Sequence, residues 1–158
     1  MNEPNIVYST KIDPAWLDYN NHMNVAYYVL IFDLAFEELL LSLGLGEKIA
    51  KSAGVSTMIL ESHITYDREV CLGQELEIRA QLVDHDHKRM HHYFEMHVRG
   101  SSCYLASTLE QISICVDLHE RKSISFPGEV MKNIKSLLQQ QSHSGRPVNI
   151  GRKIGIRK

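Results

Sequence analysis

At 158 residues and a net charge of -2, the chain has the length and composition of one ordinary globular domain. The charge balance gives no pull toward nucleic acid, and the longest apolar run is too interrupted by Asp33, Glu37 and Glu38 for a membrane span. Cys71, Cys103 and Cys115 are odd in number and lack ligand spacing, so they read as reduced, packed thiols of a cytoplasmic protein.

Ile6, Tyr8, Thr10 and Ile12 alternate, which predicts a short strand ended by Asp13-Pro14. Trp16 to Asn24 is a polar loop. From Val25 to Leu43 the polar positions Asp33, Glu37, Glu38 and Ser42 recur every four or five residues. That spacing makes one narrow polar stripe on a helix that must be enclosed on most of its surface. Gly44 can take the left-handed conformation that ends it. A short helical piece follows near Glu47–Ser52. Period-two alternation then takes over: Met58 to Tyr66, Leu76 to Leu82, His92 to Val98 and Cys103 to Asp117, separated by turns at Gly73, Asp84–Arg89 and Gly100. The apolar parity of the last strand switches near Glu110–Gln111, which predicts a bulge or bend there. Pro127 opens a C-terminal helix to about Gln140. The expected organisation is one domain over 1–141 and a loose basic tail over 142–158, carrying Arg146, Arg152, Lys153, Arg157 and Lys158 without an acid.

One strand, a long apolar helix and four consecutive strands predict an α+β protein: a curved antiparallel sheet of about five strands wrapped around the helix. Open sheet edges favour a homodimer or homotetramer.

Ahead of the helix stands Asp18-Tyr-Asn20-Asn-His22-Met-Asn24, with Tyr27-Tyr28 behind it. This run resembles the Asp-x-Asn-x-His-Val/Met-Asn motif of the hotdog-fold acyl-CoA and acyl-ACP thioesterases, and the similarity extends to about Pro127. Trp16 to Asn24, His63-Ile-x-x-x-Arg68-Glu-Val, Gly73, His85-Asp-x-Lys-Arg89-Met-His, Glu110-Gln and Val116-Asp117 are similar to the betainyl-CoA thioesterase type associated with carnitine dehydrogenases. The resemblance implies a hotdog fold and hydrolysis of an acyl-CoA without a metal or other cofactor. Betainyl-CoA or another short polar acyl-CoA is the substrate class it favours. Medium- or long-chain acyl-CoA or acyl-ACP hydrolysis is the alternative, and a non-catalytic acyl-CoA-binding module is the alternative of another class.

Thioester hydrolysis needs an attacking group and a hold on the developing oxyanion. Asp18 is the candidate nucleophile or general base, Asn20 positions the water or carboxylate, and His22 polarises the carbonyl or relays a proton. The unsatisfied N–H groups at the helix start complete an oxyanion site. The structural alternative is that Asn20 or Asn24 caps the helix and Asp18 shapes a turn. Glu61 and His63 share a strand face and either assist at the site or face solvent. Trp16, Tyr19, Tyr27 and Tyr28 are candidates for an aromatic cage around a trimethylammonium group, or for core packing. Asn24 is placed with them as a substrate contact. Arg68, Lys88 and Arg89 are candidates for coenzyme A phosphates. His85, His87, His91 and His92 invite a metal reading, but no accompanying cysteine pattern supports it. Glu110, at the parity switch, is a further candidate.

Overall fold

The computed structural model describes residues 5–147 and 149–156. β1 (Ile6–Lys11) runs into a single 3-10 turn, Pro14–Trp16, where the Asp13 carboxylate accepts from Ala15 N at 2.8 Å. α1 spans Val25–Leu43. Asn24 caps its first turn, its Oδ1 accepting from Ala26 N at 3.0 Å, and Gly44 ends it at φ 85°. A short α2 (Glu47–Ala53) leads into β2 (Val55–Tyr66), and β3 (Glu75–His85), β4 (Arg89–Val98) and β5 (Tyr104–Asp117) follow as consecutive antiparallel neighbours. A two-residue β6 (Lys122–Ser123) folds back on β5, and α3 spans Gly128–Gln140.

The sheet order is β1-β3-β4-β5-β2, all antiparallel. This is the curved sheet around one helix that the patterning implies. The core is the inner sheet face against α1: Ile31, Phe32, Leu39 and Leu43 meet Ile78, Leu82, Phe94 and Met96, all at 2% exposure or less. Burying such a side chain is worth roughly 1.5–3 kcal/mol, so the packed face of α1 fixes it on the sheet. α3 adds Val130 and Ile134 to the same core. No helix among the described residues is long and apolar enough to cross a membrane.

Two expectations change. First, α1 is not enclosed on most of its surface within one chain. Val25, Val29, Leu30, Leu34 and Leu41 are 39–56% exposed, and the neighbouring edge strand β2 exposes Met58, Ile59 and Leu60. The sheet covers only one side of the helix.

Second, no bulge falls at Glu110–Gln111. The β4–β5 register runs unbroken from Arg89↔Ile114 to Met96↔Ser107. In the ladders that β5 makes with β2 and β4 the register shifts at Leu60 of β2, opposite Ile112 and Ser113, and at Ala106 of β5 itself. The parity switch is an inversion of which face is apolar. Gln111 and Ser113 pair with His92 and Met90 on the inner face, while Ile112 and Ile114 point outward. The inner face tolerates these polar groups because His92 Nε2 meets Ser113 Oγ at 3.2 Å and the His92 ring stacks on Phe36 at 4.5 Å.

The tail is held at two points on the sheet. Gln81 Nε2 donates to the Gly145 carbonyl at 2.7 Å, and Gly151 N donates to Glu110 Oε2 at 2.7 Å. At the junction of α3 and the tail, the buried Gln141 amide accepts from Leu82 N at 2.8 Å and donates to the Ala80 carbonyl at 3.0 Å.

Candidate active site

The motif loop folds into a tight reversal. Leu17 and Met23 form an antiparallel bridge, and Asp18 N donates to the His22 carbonyl at 3.0 Å. Inside it, Asn21 N donates to the Asp18 carbonyl at 3.0 Å, with Asn21 at φ 60°. Asparagine is among the few side chains that take this conformation readily. Asp18 Oδ1 accepts from Asn20 N at 2.8 Å, so the carboxylate does shape the turn. One oxygen is thus used by the backbone, and the half-buried carboxylate is held in a fixed direction. Asn24, not Asn20, caps α1, and the exposed Asn20 is left with its side chain toward solvent. The loop sits at the positive end of α1, where an oxyanion is stabilised.

The connection between β2 and β3 supplies the other wall. Asp67 N and Arg68 N both donate to the Ala106 carbonyl, at 2.9 and 3.1 Å. Met23 N donates to the Val70 carbonyl at 2.8 Å, which draws this connection against the motif loop. His22 and Cys71 then face each other in an antiparallel bridge. The consequence is a pair absent from the expected set: His22 Nε2 lies 3.0 Å from Glu69 Oε2. With Nε2 engaged, Nδ1 is the ring nitrogen left for a substrate. Tyr104 Oη donates to the Glu69 carbonyl at 3.0 Å and receives Gln74 Nε2 at 3.2 Å, so the Glu69 backbone is itself braced.

The aromatic residues separate into two groups. Trp16 and Tyr27 stack, with ring centroids 5.8 Å apart, and Tyr19 is 94% exposed beside them in sequence. Tyr28 is buried and meets the Tyr66 ring edge-on at 5.2 Å; burial pushes its phenol up to about 12. Tyr28 therefore packs the wall of the site.

Of the phosphate candidates, Arg68 lies next to Glu69 with its guanidinium 5.3 Å over the Tyr104 ring. Lys88 and Arg89 lie at the opposite end of β4, where Arg89 pairs with Ile114 while Val98 pairs with Tyr104. At ~3.4 Å per strand residue this puts them on the order of 30 Å from Arg68 in the same chain. Arg89 is also committed to Asp86: its Nε lies 2.7 Å from Oδ2, and backbone amides of Lys88 and Arg89 donate to Oδ1. These donors hold the Asp86 carboxyl far below the usual carboxylate range. Glu61 is exposed on β2, and His63 sits opposite Glu110. Among the described residues neither shares a hydrogen bond with the motif loop.

The four clustered histidines do not converge. His91 Nε2 pairs with Glu110 Oε1 at 2.8 Å, His85 Nδ1 meets the Asp86 carbonyl, and His92 is fully buried on the other face of β4. Burial pushes His92 down to about 3, so it is a neutral core ring. Among the described residues, the metal-ligating side chains that do meet are His22, Glu69 and Cys71, whose donor atoms all lie within 4.8 Å of one another. A sequence signal for Glu69 existed, since Arg68-Glu69-Val70 belongs to the resemblance, but only the chain crossing shows its partner.

Comparisons with known proteins place the chain in a family. A family model, the thioesterase-like superfamily, matches residues 12–134. Over 149 residues the chain is 35% identical to the betainyl-CoA thioesterase of Pseudomonas aeruginosa, covering 94% of this chain and 93% of that protein. A Staphylococcus aureus protein solved in complex with CoA superposes with a TM-score of 0.90 at 27% identity, over 99% of both chains. The 1,4-dihydroxy-2-naphthoyl-CoA thioesterase of Synechocystis shares the fold, with a TM-score of 0.73 at 19% identity over 84% of this chain and 96% of that one. By motif, by fold and by sequence, the chain belongs to the thioesterase-like superfamily of hotdog proteins.

Proposed function

We propose that this protein hydrolyses acyl-CoA thioesters to a carboxylic acid and free CoA, and that betainyl-CoA or another short polar acyl-CoA is its substrate. The observation that carries the reading is the His22–Glu69 pair closing on the Asp18 turn at the start of α1. In one route Asp18 attacks the thioester carbonyl, CoA leaves as thiolate, and water then hydrolyses the mixed anhydride. In the other, Asp18 takes a proton from a water that attacks directly. Both routes need the carbonyl oxygen held as it becomes negative, which falls to His22 and the first N–H groups of α1. Glu69 acts through His22, fixing which nitrogen faces the substrate. No step calls for a metal, so a chelator leaves turnover unchanged.

The choice of acyl group draws on the Pseudomonas aeruginosa relative and on the Trp16–Tyr27 stack. With Tyr19, these rings offer π faces to a quaternary ammonium, each contact worth roughly 0.5–2 kcal/mol. Arg68 supports a contact to CoA phosphate from the same wall. The exposed apolar residues of α1 and β2 support a homodimer or tetramer, the association that would cover them. Three free thiols fit a reducing compartment such as the cytoplasm.

Free-thiol release from a panel of acyl-CoAs, with Asp18→Ala in parallel, tests the reading. Preference for betainyl-CoA that vanishes in the variant is the expected result. Broad activity on plain acyl chains would discard the cation cage and keep the hydrolase. Tight acyl-CoA binding without thiol release would make the chain a binding module.

A further inference from the structure

We infer that His22, Glu69 and Cys71 form a binding site for a thiophilic divalent cation, of the zinc or cadmium class, and that its occupancy switches hydrolysis off. The inhibitory half rests on the catalytic reading of His22; the binding half does not.

The donor set is one imidazole nitrogen, one carboxylate oxygen and one thiol sulfur, the ligand types that zinc takes. Their atoms lie within 4.8 Å of one another, and His22 Nε2 and Glu69 Oε2 are already 3.0 Å apart. Around a tetrahedral ion with bonds of ~2.0–2.3 Å, ligand atoms sit roughly 3.3–3.8 Å apart, so closure requires only about 1 Å of side-chain movement. The backbones under all three are fixed. His22 and Cys71 oppose each other in an antiparallel bridge, Cys71 N donates to Gln74 Oε1 at 2.8 Å, and Tyr104 holds the Glu69 carbonyl. His22 and Cys71 are half-buried and Glu69 is exposed, so the three side chains are reachable from solvent. Arg68, adjacent to Glu69 in sequence, is drawn over the Tyr104 ring.

Ligation replaces the Cys71 S–H bond with a sulfur–metal bond and releases that proton to solvent, with no change of oxidation state. It also withdraws His22 and Glu69 from the thioester. This is a site distinct in chemistry from the histidine-rich turn at the far end of β4.

The test uses cadmium(II) and zinc(II) on the intact protein, with Cys103→Ser as background to remove the other accessible thiol. Cadmium should give a thiolate-to-metal charge-transfer band in the ultraviolet. Zinc should inhibit thiol release, and Cys71→Ser should keep its basal turnover, lose the band and need at least about ten times more zinc for half-inhibition. On the unsubstituted protein, zinc should shield Cys71 from alkylation as read by mass spectrometry, which needs no variant to fold. Absence of the band and of shielding would overturn the site. A band with unaltered turnover would keep the site and overturn the inhibition, together with the role given to His22.

Discussion

Asp18–Asn24 and Asp84–His92 are both dense in side chains able to do chemistry, yet only the first is joined by a distant segment of the chain. The difference lies in how the backbone is used. In Asp18–Asn24 the chain reverses at a helix start, and a second strand connection is drawn against it by the Met23–Val70 hydrogen bond. Groups from residues 18 to 71 then converge. In Asp84–His92 the chain makes a hairpin turn whose two acids are taken up by their own neighbours, Asp84 by His85 N and Asp86 by Lys88 and Arg89. Strand alternation sends His91 outward to Glu110 and His92 inward to Phe36. Density of reactive side chains along a sequence is therefore a weak guide, and a crossing of two segments is a strong one.

The largest expected effect on this contrast comes from Asp18→Asn, which should lower turnover about a thousandfold or more, within the range for a lost acid–base group or nucleophile. Circular dichroism should show the fold intact, because an asparagine oxygen can still accept from Asn20 N. If His85→Ala or His87→Ala cost as much turnover as Asp18→Asn, the contrast would be wrong. Next, His22→Ala should reduce kcat far more than it raises KM, and Glu69→Gln should follow it with a smaller loss of ~10–100-fold in kcat. Steady-state kinetics that showed only a KM effect would make the pair a binding device.

The third effect concerns stability. His92 is held near 3 when folded and returns to its ordinary value near 6.5 when unfolded. Between those values the unfolded chain binds a proton that the folded chain refuses. Stability is thus fully present above about pH 6.5 and falls as pH drops toward 3, by at most ~1.4 kcal/mol per pH unit for this one group. His92→Phe should flatten that acid slope in thermal unfolding at a series of pH values and leave the pH profile of turnover unmoved. The smallest effect is Asn24→Ala, which removes the cap of α1 and should cost ~1 kcal/mol in urea unfolding.

Much of this was legible in the sequence. The spacing of Asp33, Glu37, Glu38 and Ser42 marked α1, and Gly44 its end, because helix periodicity and left-handed glycine are local properties. The motif singled out Asp18, Asn20 and His22 as candidates, and all three lie in the one reversed loop ahead of α1. Glu69 was illegible from pattern, since its value comes from a contact spanning 47 positions that only the β2–β3 connection creates. Glu61 and His63 drew notice instead because strand alternation makes faces visible, whereas an irregular connection has no period. The inversion in β5 was read as a bulge or bend for the same reason. A polar inner face at Gln111 and Ser113 makes sense only once His92 and Phe36 are seen beside it.

The Gln141 amide accepts from Leu82 N and donates to the Ala80 carbonyl, taking up two β3 backbone groups next to the described start of β1. Backbone groups already bonded to a side chain are closed to an added strand, so one amide at the root of the tail shields part of the β3 border, while the twelve-residue β2 lies at the other border of the sheet. Replacing it with alanine would leave Leu82 N without its partner and remove that shield.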